Sequence, residues 1–142
     1  MAPTNILVVE DSPGDQRLIM EALQKNNGKA KIHLAADGLA ALDFLHRREN
    51  HANAPVPSLV LLDLNLPKRS GLDVLKEMKQ NPKLRSIPVV VFSTSSSEED
   101  LKRCYDCHAN AFVTKPSELD VFYSVIKTIQ DFWIGIAQLP KQ

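Results

Sequence analysis

The sequence of 142 residues has no excess of charge, because its 17 lysine and arginine residues balance its 17 aspartate and glutamate residues. This balance argues against a nucleic-acid or membrane partner that is held mainly by bulk charge. The sequence also lacks an apolar stretch long enough to span a bilayer, and its amino terminus lacks the apolar core of a signal peptide. We therefore expect a cytoplasmic protein that binds neither nucleic acid nor membrane.

Cysteine is scarce, and the only two, Cys104 and Cys107, stand together as C-Y-D-C. A metal site would need more ligands than these two thiols and His108, the one further candidate nearby in the sequence. The surrounding segment has the pattern of a helix, on which residues i and i+3 share one face. The sequence therefore favours a structural role for both cysteines over a redox or metal site.

Internal repeats and low-complexity tracts are absent, and the length is that of one ordinary domain with a real core. We expect one domain over residues 1–132 and a carboxyl-terminal tail over residues 133–142 that serves as an interaction segment.

An uninterrupted apolar run at residues 59–62 stops at an acid, Asp63. Such a run predicts a strand buried on both faces, as in a parallel sheet. A buried helix turn is the alternative, but Pro67 and Gly71 close the segment too soon for it. We expect Asp63 at the carboxyl end of a central strand, where open α/β sheets bind ligands. Because Ser70 is available to cap the next helix, Asp63 is left without a structural role.

Four further segments have strand patterns: residues 6–9, 31–35, 89–92 and 111–114. The first and third are continuous apolar runs that predict buried strands, and they end in Glu10–Asp11 and Ser93–Thr94. The other two are half polar or short, which suits the edges of a sheet. The last of them is followed by Lys115 and Pro116.

Five helical patterns alternate with these five strands. Their start signals are Ser12–Pro13 with Asp15, Asp37–Gly38, Ser70 with Asp73, Ser96 with Glu99, and Ser117 with Asp120. The segment Asn26–Asn27–Gly28 predicts the end of the first helix. The alternation predicts an α/β fold, a doubly wound parallel sheet of flavodoxin-like order 2-1-3-4-5 with helices on both faces. Its crevice lies between the first and third strands.

Three carboxylates, those of Glu10, Asp11 and Asp63, are therefore expected to converge on this crevice. They would repel one another, and a hard divalent cation with oxygen ligands is the usual compensation. Magnesium suits such a site, since it prefers few carboxylates, several waters and often a phosphoryl oxygen. The alternative is three acids solvated at a surface. Ser93 adds a hydroxyl group at the neighbouring strand end, and Lys115 adds a cation.

Together these residues make the chain resemble the receiver domains of two-component response regulators over nearly its full length. The motifs that carry the resemblance are the pair Glu10–Asp11, the D-x-x-x-P-x-x-x-G run from Asp63 to Gly71, Ser93 with Thr94, and Lys115–Pro116. The resemblance implies that Asp63 accepts a phosphoryl group from a sensor histidine kinase in a Mg²⁺-dependent reaction. It further implies a signalling protein that works by conformational change and is not an enzyme acting on other molecules.

The resemblance also implies a set of metal ligands. Asp11 would bind Mg²⁺ directly, Glu10 through a water molecule, and Asn65 through its carbonyl oxygen, beside Asp63 itself. One departure concerns this set, because Glu10 replaces the aspartate that is commoner in the family and thereby changes the reach to the metal.

A second implied set forms the switch. Ser93 would hydrogen-bond the phosphoryl group, Lys115 would pair with it, and the backbone amide of Thr94 would move toward it. Phe112 stands where the family keeps an aromatic residue that rotates. The Lys115–Pro116 bond would be cis. Here Ser93 replaces the commoner threonine, which removes a methyl group from the switch.

A narrower resemblance is to the small stand-alone regulators paired with bacterial phytochromes. It is carried by four features: the loop RRENHANAPVP, the run LDLNLPK, the run NPKLRSIPVVV, and a tail with F-W and L-P. Those regulators run into a short carboxyl tail without an output domain, and this sequence ends at Gln142, too early for one. The resemblance implies a phytochrome-type kinase as partner.

Three other classes compete with this interpretation. A phosphatase of the haloacid dehalogenase kind also uses a strand-end aspartate, but it needs a second acid two residues on, where this chain has Asn65. A flavin binder of the same fold would need a phosphate cradle where Glu10–Asp11 places negative charge. An interaction module that is never phosphorylated remains, and a failure to bind magnesium would favour it.

The last helix carries two apolar stripes. The first consists of Leu119, Phe122, Ile126, Ile129 and Trp133, and the second of Val121, Val125, Phe132 and Ile136. One stripe can pack on the sheet. The second lies about 100° or more away, and an exposed apolar patch usually marks an interface. We therefore expect a homodimer through the last helix and tail, with a tail that folds back over the stripe as the alternative.

Overall fold

A parallel sheet of five strands forms the centre of the protein in the computed structural model, which describes residues 4–26 and 30–140. The strands are β1 (Asn5–Val9), β2 (Lys31–Ala35), β3 (Leu59–Leu62), β4 (Val89–Ser93) and β5 (Ala111–Thr114). Their order in the sheet is β2-β1-β3-β4-β5, so the predicted flavodoxin-like topology is confirmed.

Five α-helices connect and cover the strands. They are α1 (Pro13–Asn26), α2 (Gly38–Leu45), α3 (Gly71–Gln80), α4 (Glu98–Asp106) and α5 (Leu119–Gln130). A short 3-10 turn occupies Glu49–His51, and α5 runs on into a π-helical turn at Asp131–Ile136. Asn27 and Gly28, part of the predicted stop after α1, lie outside the described residues. Within those residues no helix is both long and apolar enough to cross a membrane.

The two faces of the sheet support two separate apolar clusters. Leu7, Val9, Val60 and Leu62 belong to the cluster that includes α2 and α3. Their neighbours Ile6, Val8, Leu59 and Leu61 belong to the cluster that includes α1 and α5. The side chains of β1, β3 and β4 are buried throughout, while β2 is half exposed, as its alternating sequence predicts.

The strand register brings the ends of distant segments to one edge of the sheet. Val9 pairs with Leu62, so Glu10 and Asp63 follow side by side. The Asp63 N–H donates to Val9 O at 3.0 Å and thereby continues the ladder past the end of β3. On the far side, Ser93 pairs with Thr114, the residue before Lys115. The register thus brings four of the predicted site residues to the carboxyl edge: Glu10, Asp63, Ser93 and Lys115.

Three predicted helix starts are confirmed by side-chain caps. Ser12 Oγ accepts from the Asp15 N–H, Asp37 Oδ1 from the Ala40 N–H, and Ser70 Oγ from the Asp73 N–H. These caps fix the first turns of α1, α2 and α3 at the carboxyl edge of the sheet.

Two predicted helix starts are wrong. The cap of α4 is Ser97, which accepts from the Asp100 N–H, and not Ser96. Three consecutive serines precede this helix, and Ser95 fixes the register because its hydroxyl group donates to Asp100 Oδ2 at 2.7 Å. The predicted cap of α5 by Ser117 and Asp120 is also absent, since that helix starts after Glu118 without a side-chain cap.

Candidate functional site

Three acids converge at the carboxyl edge between β1 and β3. Glu10, Asp11 and Asp63 each place a carboxylate oxygen within 4.8 Å of the others. Glu10 and Asp63 are buried, while Asp11 is exposed at the mouth of the pocket. Three hard oxygen donors with one open side match the ligand chemistry of Mg²⁺, which binds few carboxylates and keeps several waters. The donor set therefore fits the predicted magnesium site.

The Lys115 ammonium group lies among these acids. Its Nζ is 2.5 Å from Glu10 Oε1, 3.0 Å from Asp63 Oδ2 and 2.9 Å from Asp15 Oδ2. The Lys115 side chain is 5% exposed, so water screens these contacts little. The backbone directs the lysine inward, since its N–H donates to Ser93 O at 2.8 Å and extends the pairing of β5 with β4.

Burial and charge shift the pKa values of the buried pair. Burial raises the pKa of Glu10 to about 7, although the hydrogen bond from Lys115 lowers it, and the charge of Asp63 adds to the rise. Burial alone would lower the pKa of Lys115, but its hydrogen bonds to Glu10 and Asp15 and the charge of Asp63 raise it above the ordinary value. Lys115 therefore keeps its proton at neutral pH. Even beside this lysine, a negative charge on Glu10 is unfavourable unless a further cation is present.

The contact between Asp15 and Lys115 was not predicted from the sequence, because Asp15 fits the pattern of a helix start. Its N–H does bond the capping Ser12, yet its carboxylate faces Lys115. One signal was available in the sequence. An acid on the first turn of a helix that follows an acidic strand end lies over the same edge of the sheet.

The predicted cis bond between Lys115 and Pro116 is wrong. Among the described residues no peptide bond is cis, and this pair lies among them. Lys115 reaches the acids with a trans bond after it, because the hydrogen bond from its N–H to Ser93 O already directs the residue toward the pocket. Pro116 itself is partly buried next to the site.

The other residues predicted to form the switch lie on β4, directly after β4, and on β5. Ser93 is fully buried at the end of β4, and its hydroxyl oxygen accepts from the Ser95 N–H at 3.3 Å. Thr94 is exposed. Phe112 is half-buried on β5, and its N–H donates to the Tyr105 hydroxyl oxygen on α4 at 3.2 Å. Tyr105 therefore ties α4 to β5 next to the predicted rotating ring.

The loop after β3 passes close to Asp63. In this loop Leu66 is partly buried and Asn65 is exposed. The Asn65 backbone nitrogen lies 3.4 Å from Asp63 Oδ1. Gly71 closes the loop, because its N–H donates to Leu64 O at 2.9 Å. A Cβ atom at Gly71 would lie only 2.0 Å from the Asp63 backbone oxygen. The glycine of the sequence motif thus has a packing reason, since it lets α3 begin against the end of β3.

Cys104 and Cys107 take no part in this site. Both are free thiols, Cys104 buried and Cys107 partly buried on α4 and its end. Burial raises the pKa of Cys104 to about 11, with Asp100 and Cys107 adding to the rise, so its thiol is unreactive at neutral pH. This agrees with a structural role.

Comparison with known proteins adds independent findings. Residues 6–127 match the family model described as response regulator receiver domain. Response regulator Rcp1 of Synechocystis sp. (strain ATCC 27184 / PCC 6803 / Kazusa) is 44% identical over 138 residues, which cover 97% of this chain and 94% of Rcp1.

Two solved structures are closely similar to the fold. The phosphorylated cyanobacterial phytochrome response regulator RcpA is 43% identical, with a TM-score of 0.95 over 99% of this chain and 100% of RcpA. The Mn²⁺-bound form of response regulator Rcp1 is 43% identical, with a TM-score of 0.94 over 98% of this chain and 100% of Rcp1.

Proposed function

Since the chain belongs to the response regulator receiver domain family and is homologous to phytochrome response regulators, we propose that it accepts a phosphoryl group on Asp63 from a sensor histidine kinase in the cytoplasm. One observation supports this choice above the others. Asp63 is buried at the strand end between the Lys115 ammonium group and the carboxylates of Glu10 and Asp11. The names of the relatives favour a phytochrome-type kinase as the donor.

The proposed step is an in-line displacement at phosphorus. A carboxylate oxygen of Asp63 attacks the phosphorus of a phosphohistidine, the new P–O bond forms, and the P–N bond breaks. The electron pair of the broken bond goes to the imidazole of the kinase. Lys115 keeps the Asp63 carboxylate oriented before the step and compensates the added charge after it.

We assign the metal to the carboxylates of Glu10, Asp11 and Asp63 and, by the family resemblance, to the backbone carbonyl of Asn65. When bound, Mg²⁺ supplies positive charge that offsets the charge of the transferring phosphoryl group. The observation that supports this assignment is the approach of the three carboxylate oxygens within 4.8 Å of one another, with Lys115 as the only lysine among the described residues that contacts any of them.

Persistence of the phosphoryl group follows from what lies beside Asp63. Asn65 occupies the position two residues on, and its amide cannot take a proton from an attacking water as a carboxylate would. A phosphoaspartate should therefore last long enough to signal. This favours a phosphoacceptor over a phosphatase of the same fold.

The test is to incubate the protein with Mg²⁺ and a small phosphodonor and to map added phosphate by mass spectrometry. We expect one phosphoryl group, on Asp63, and none when a chelator removes the metal. Phosphate on another residue, or equal labelling with and without the metal, would contradict the proposal.

The same labelled sample tests the switch. We propose that Ser93 and the backbone amide of Thr94 move toward the phosphoryl group and that Phe112 rotates into the space they leave. The Tyr105 hydroxyl contact with the Phe112 backbone would then change, coupling α4 to the site. Structures of the labelled and unlabelled protein with the same loop and Phe112 positions would count against this switch.

We also propose a homodimer through the last helix and the carboxyl-terminal tail. Of the second stripe, Val121 is 44%, Phe132 48% and Ile136 71% exposed, while Val125 packs against the core. Leu119, predicted to pack on the sheet, is instead 51% exposed at the first residue of α5. It therefore extends the uncovered apolar surface, which favours an interface.

The dimer predicts a specific loss. Phe132→Glu should convert the wild-type dimer to a monomer at micromolar concentration, because it places a charge in an apolar contact. Sedimentation measures the outcome, with Lys76→Glu as a control that adds negative charge at an exposed position on α3, on the other face of the sheet. A wild type that is monomeric with and without phosphate would exclude the dimer, and a dimer that survives Phe132→Glu would move the interface elsewhere.

A further inference from the structure

Asp15 contacts the lysine of the site without belonging to the group of three converging acids. Its Oδ2 lies 2.9 Å from Lys115 Nζ. The group that can hold a metal consists of Glu10, Asp11 and Asp63. An ammonium group has three N–H donors, and here they match the three acceptors that surround it on Glu10, Asp15 and Asp63.

The position of Asp15 is fixed by its helix. Its N–H donates to Ser12 Oγ at 3.3 Å, so the residue belongs to the capped first turn of α1. Gln16, the next residue, donates from Nε2 to the Glu10 backbone oxygen at 2.6 Å, which ties the same turn to the end of β1. The Asp15 carboxylate is therefore held at the pocket rim, with its side chain 31% exposed.

Two of the three residues that accept hydrogen bonds from Lys115 could also bind a metal ion. Glu10 and Asp63 contact the lysine and also belong to the three acids that suit a divalent cation. Asp15 contacts the lysine and is not one of the three acids that could hold a cation. If Glu10 and Asp63 held a divalent cation, Asp15 would remain as the acceptor of Lys115 whose geometry need not change.

We propose that Asp15 is a positioning residue, which would keep the Lys115 ammonium group at the pocket when Glu10 and Asp63 hold a divalent cation. The inference deepens the proposed phosphoacceptor function and rests on it for its biological meaning. It assigns the lysine a fixed partner, so the cation and the lysine do not compete for the same two carboxylates.

The test is the binding of Mn²⁺ alone, measured by electron paramagnetic resonance. Asp15→Asn should weaken Mn²⁺ binding about three- to tenfold, because Lys115 is then held mainly by Glu10 and Asp63, in competition with the cation. Asp73→Asn is the matched control. Asp73 has the same position on α3 as Asp15 has on α1, because its N–H donates to the capping Ser70 Oγ. Its carboxylate pairs with Arg69, so this substitution should leave Mn²⁺ binding unchanged.

A second background separates positioning from simple charge. In Lys115→Met, Asp15→Asn should change Mn²⁺ affinity less than about twofold, because Asp15 then has no lysine to hold. Equal effects in both backgrounds would mean that Asp15 acts on the cation directly and would overturn the proposal. No effect in the wild-type background would overturn it as well. Should Lys115→Met not fold, Lys115→Gln serves as the background with the same expected outcome.

The metal titration requires no phosphoryl transfer, so its result is independent of labelling at Asp63. A chain that binds Mn²⁺ with the expected coupling but takes no phosphate would contradict the proposed function and support the role of Asp15. The reverse result would contradict the role of Asp15 alone.

Discussion

Asp63→Asn should take up no phosphate under conditions that label the wild-type protein completely. An amide oxygen is a far weaker nucleophile than a carboxylate, so we expect labelling to fall by about 100-fold or more, to the background of the assay. The fold should survive, since asparagine has nearly the same size and Lys115 keeps its contacts with Glu10 and Asp15. The measurement is mass spectrometry after incubation with Mg²⁺ and a small phosphodonor.

Asp37→Asn provides the control for that loss. Asp37 also follows a strand at the carboxyl edge, but it caps α2 and pairs with Lys68, outside the three converging acids. Asparagine caps helices about as well as aspartate, so both folding and labelling should stay at the wild-type level. Full labelling of Asp63→Asn, or equal losses in both variants, would show that Asp63 is not the acceptor.

Gly71→Ala should be among the most destabilising single methyl additions in the chain. The added Cβ would lie 2.0 Å from the Asp63 backbone oxygen and 2.7 Å from Leu64 Cα, and backbone atoms cannot swing aside as the end of a side chain can. The start of α3 would have to move away from the end of β3. We expect the free energy of unfolding to fall by about 3 kcal/mol, at the upper end of the usual cost of overpacking. Urea denaturation measures it.

Gly14→Ala is the matched control, because it adds the same methyl group to a helix start that has room. Its Cβ would meet only Ser12 Oγ, at 3.9 Å. Alanine also restricts the unfolded chain more than glycine does, so this variant should gain about 0.4–1 kcal/mol of stability. Equal losses in Gly71→Ala and Gly14→Ala would contradict the packing argument.

The sheet could be predicted because its central strands carry little else than apolar side chains. The runs at residues 6–9, 59–62 and 89–92 have no polar residue, so burial on both faces was the only inexpensive arrangement for them. Their carboxyl ends then had to share one edge of a parallel sheet. That is why the convergence of Glu10, Asp11 and Asp63 followed from the sequence alone.

Features that depend on side-chain geometry in three dimensions could not be predicted in the same way. Three adjacent serines are nearly equivalent as caps, and the choice of Ser97 depends on the contact of Ser95 with Asp100. The trans bond before Pro116 was not predicted, because the expectation of a cis bond came only from the family resemblance. The hydrogen bond from Lys115 N–H to Ser93 O, which directs the lysine, joins two strands and cannot be read from the local sequence.

Asp15 and the end of α5 illustrate a further limit. The position of Asp15 on the first turn of α1 indicates its edge of the sheet but does not identify its partner, because the contact with Lys115 spans 100 residues. The π-helical turn at Asp131–Ile136 likewise shifts the faces that a regular 3.6-residue period predicts beyond Gln130.

The contacts of Lys115 also bear on the order in which the chain is completed. They join the lysine to residues 52, 100 and 105 positions earlier, so the pocket acquires its only contacting lysine among the described residues when β5 is added to the sheet edge. During synthesis the acids emerge from the ribosome before this counter-charge exists, and their repulsion opposes early closure of that edge. Long-range closures of this kind come late in folding. The proposed acceptor chemistry would thereby be reserved for chains whose last strand has docked, since an incomplete chain would carry the acids without Lys115.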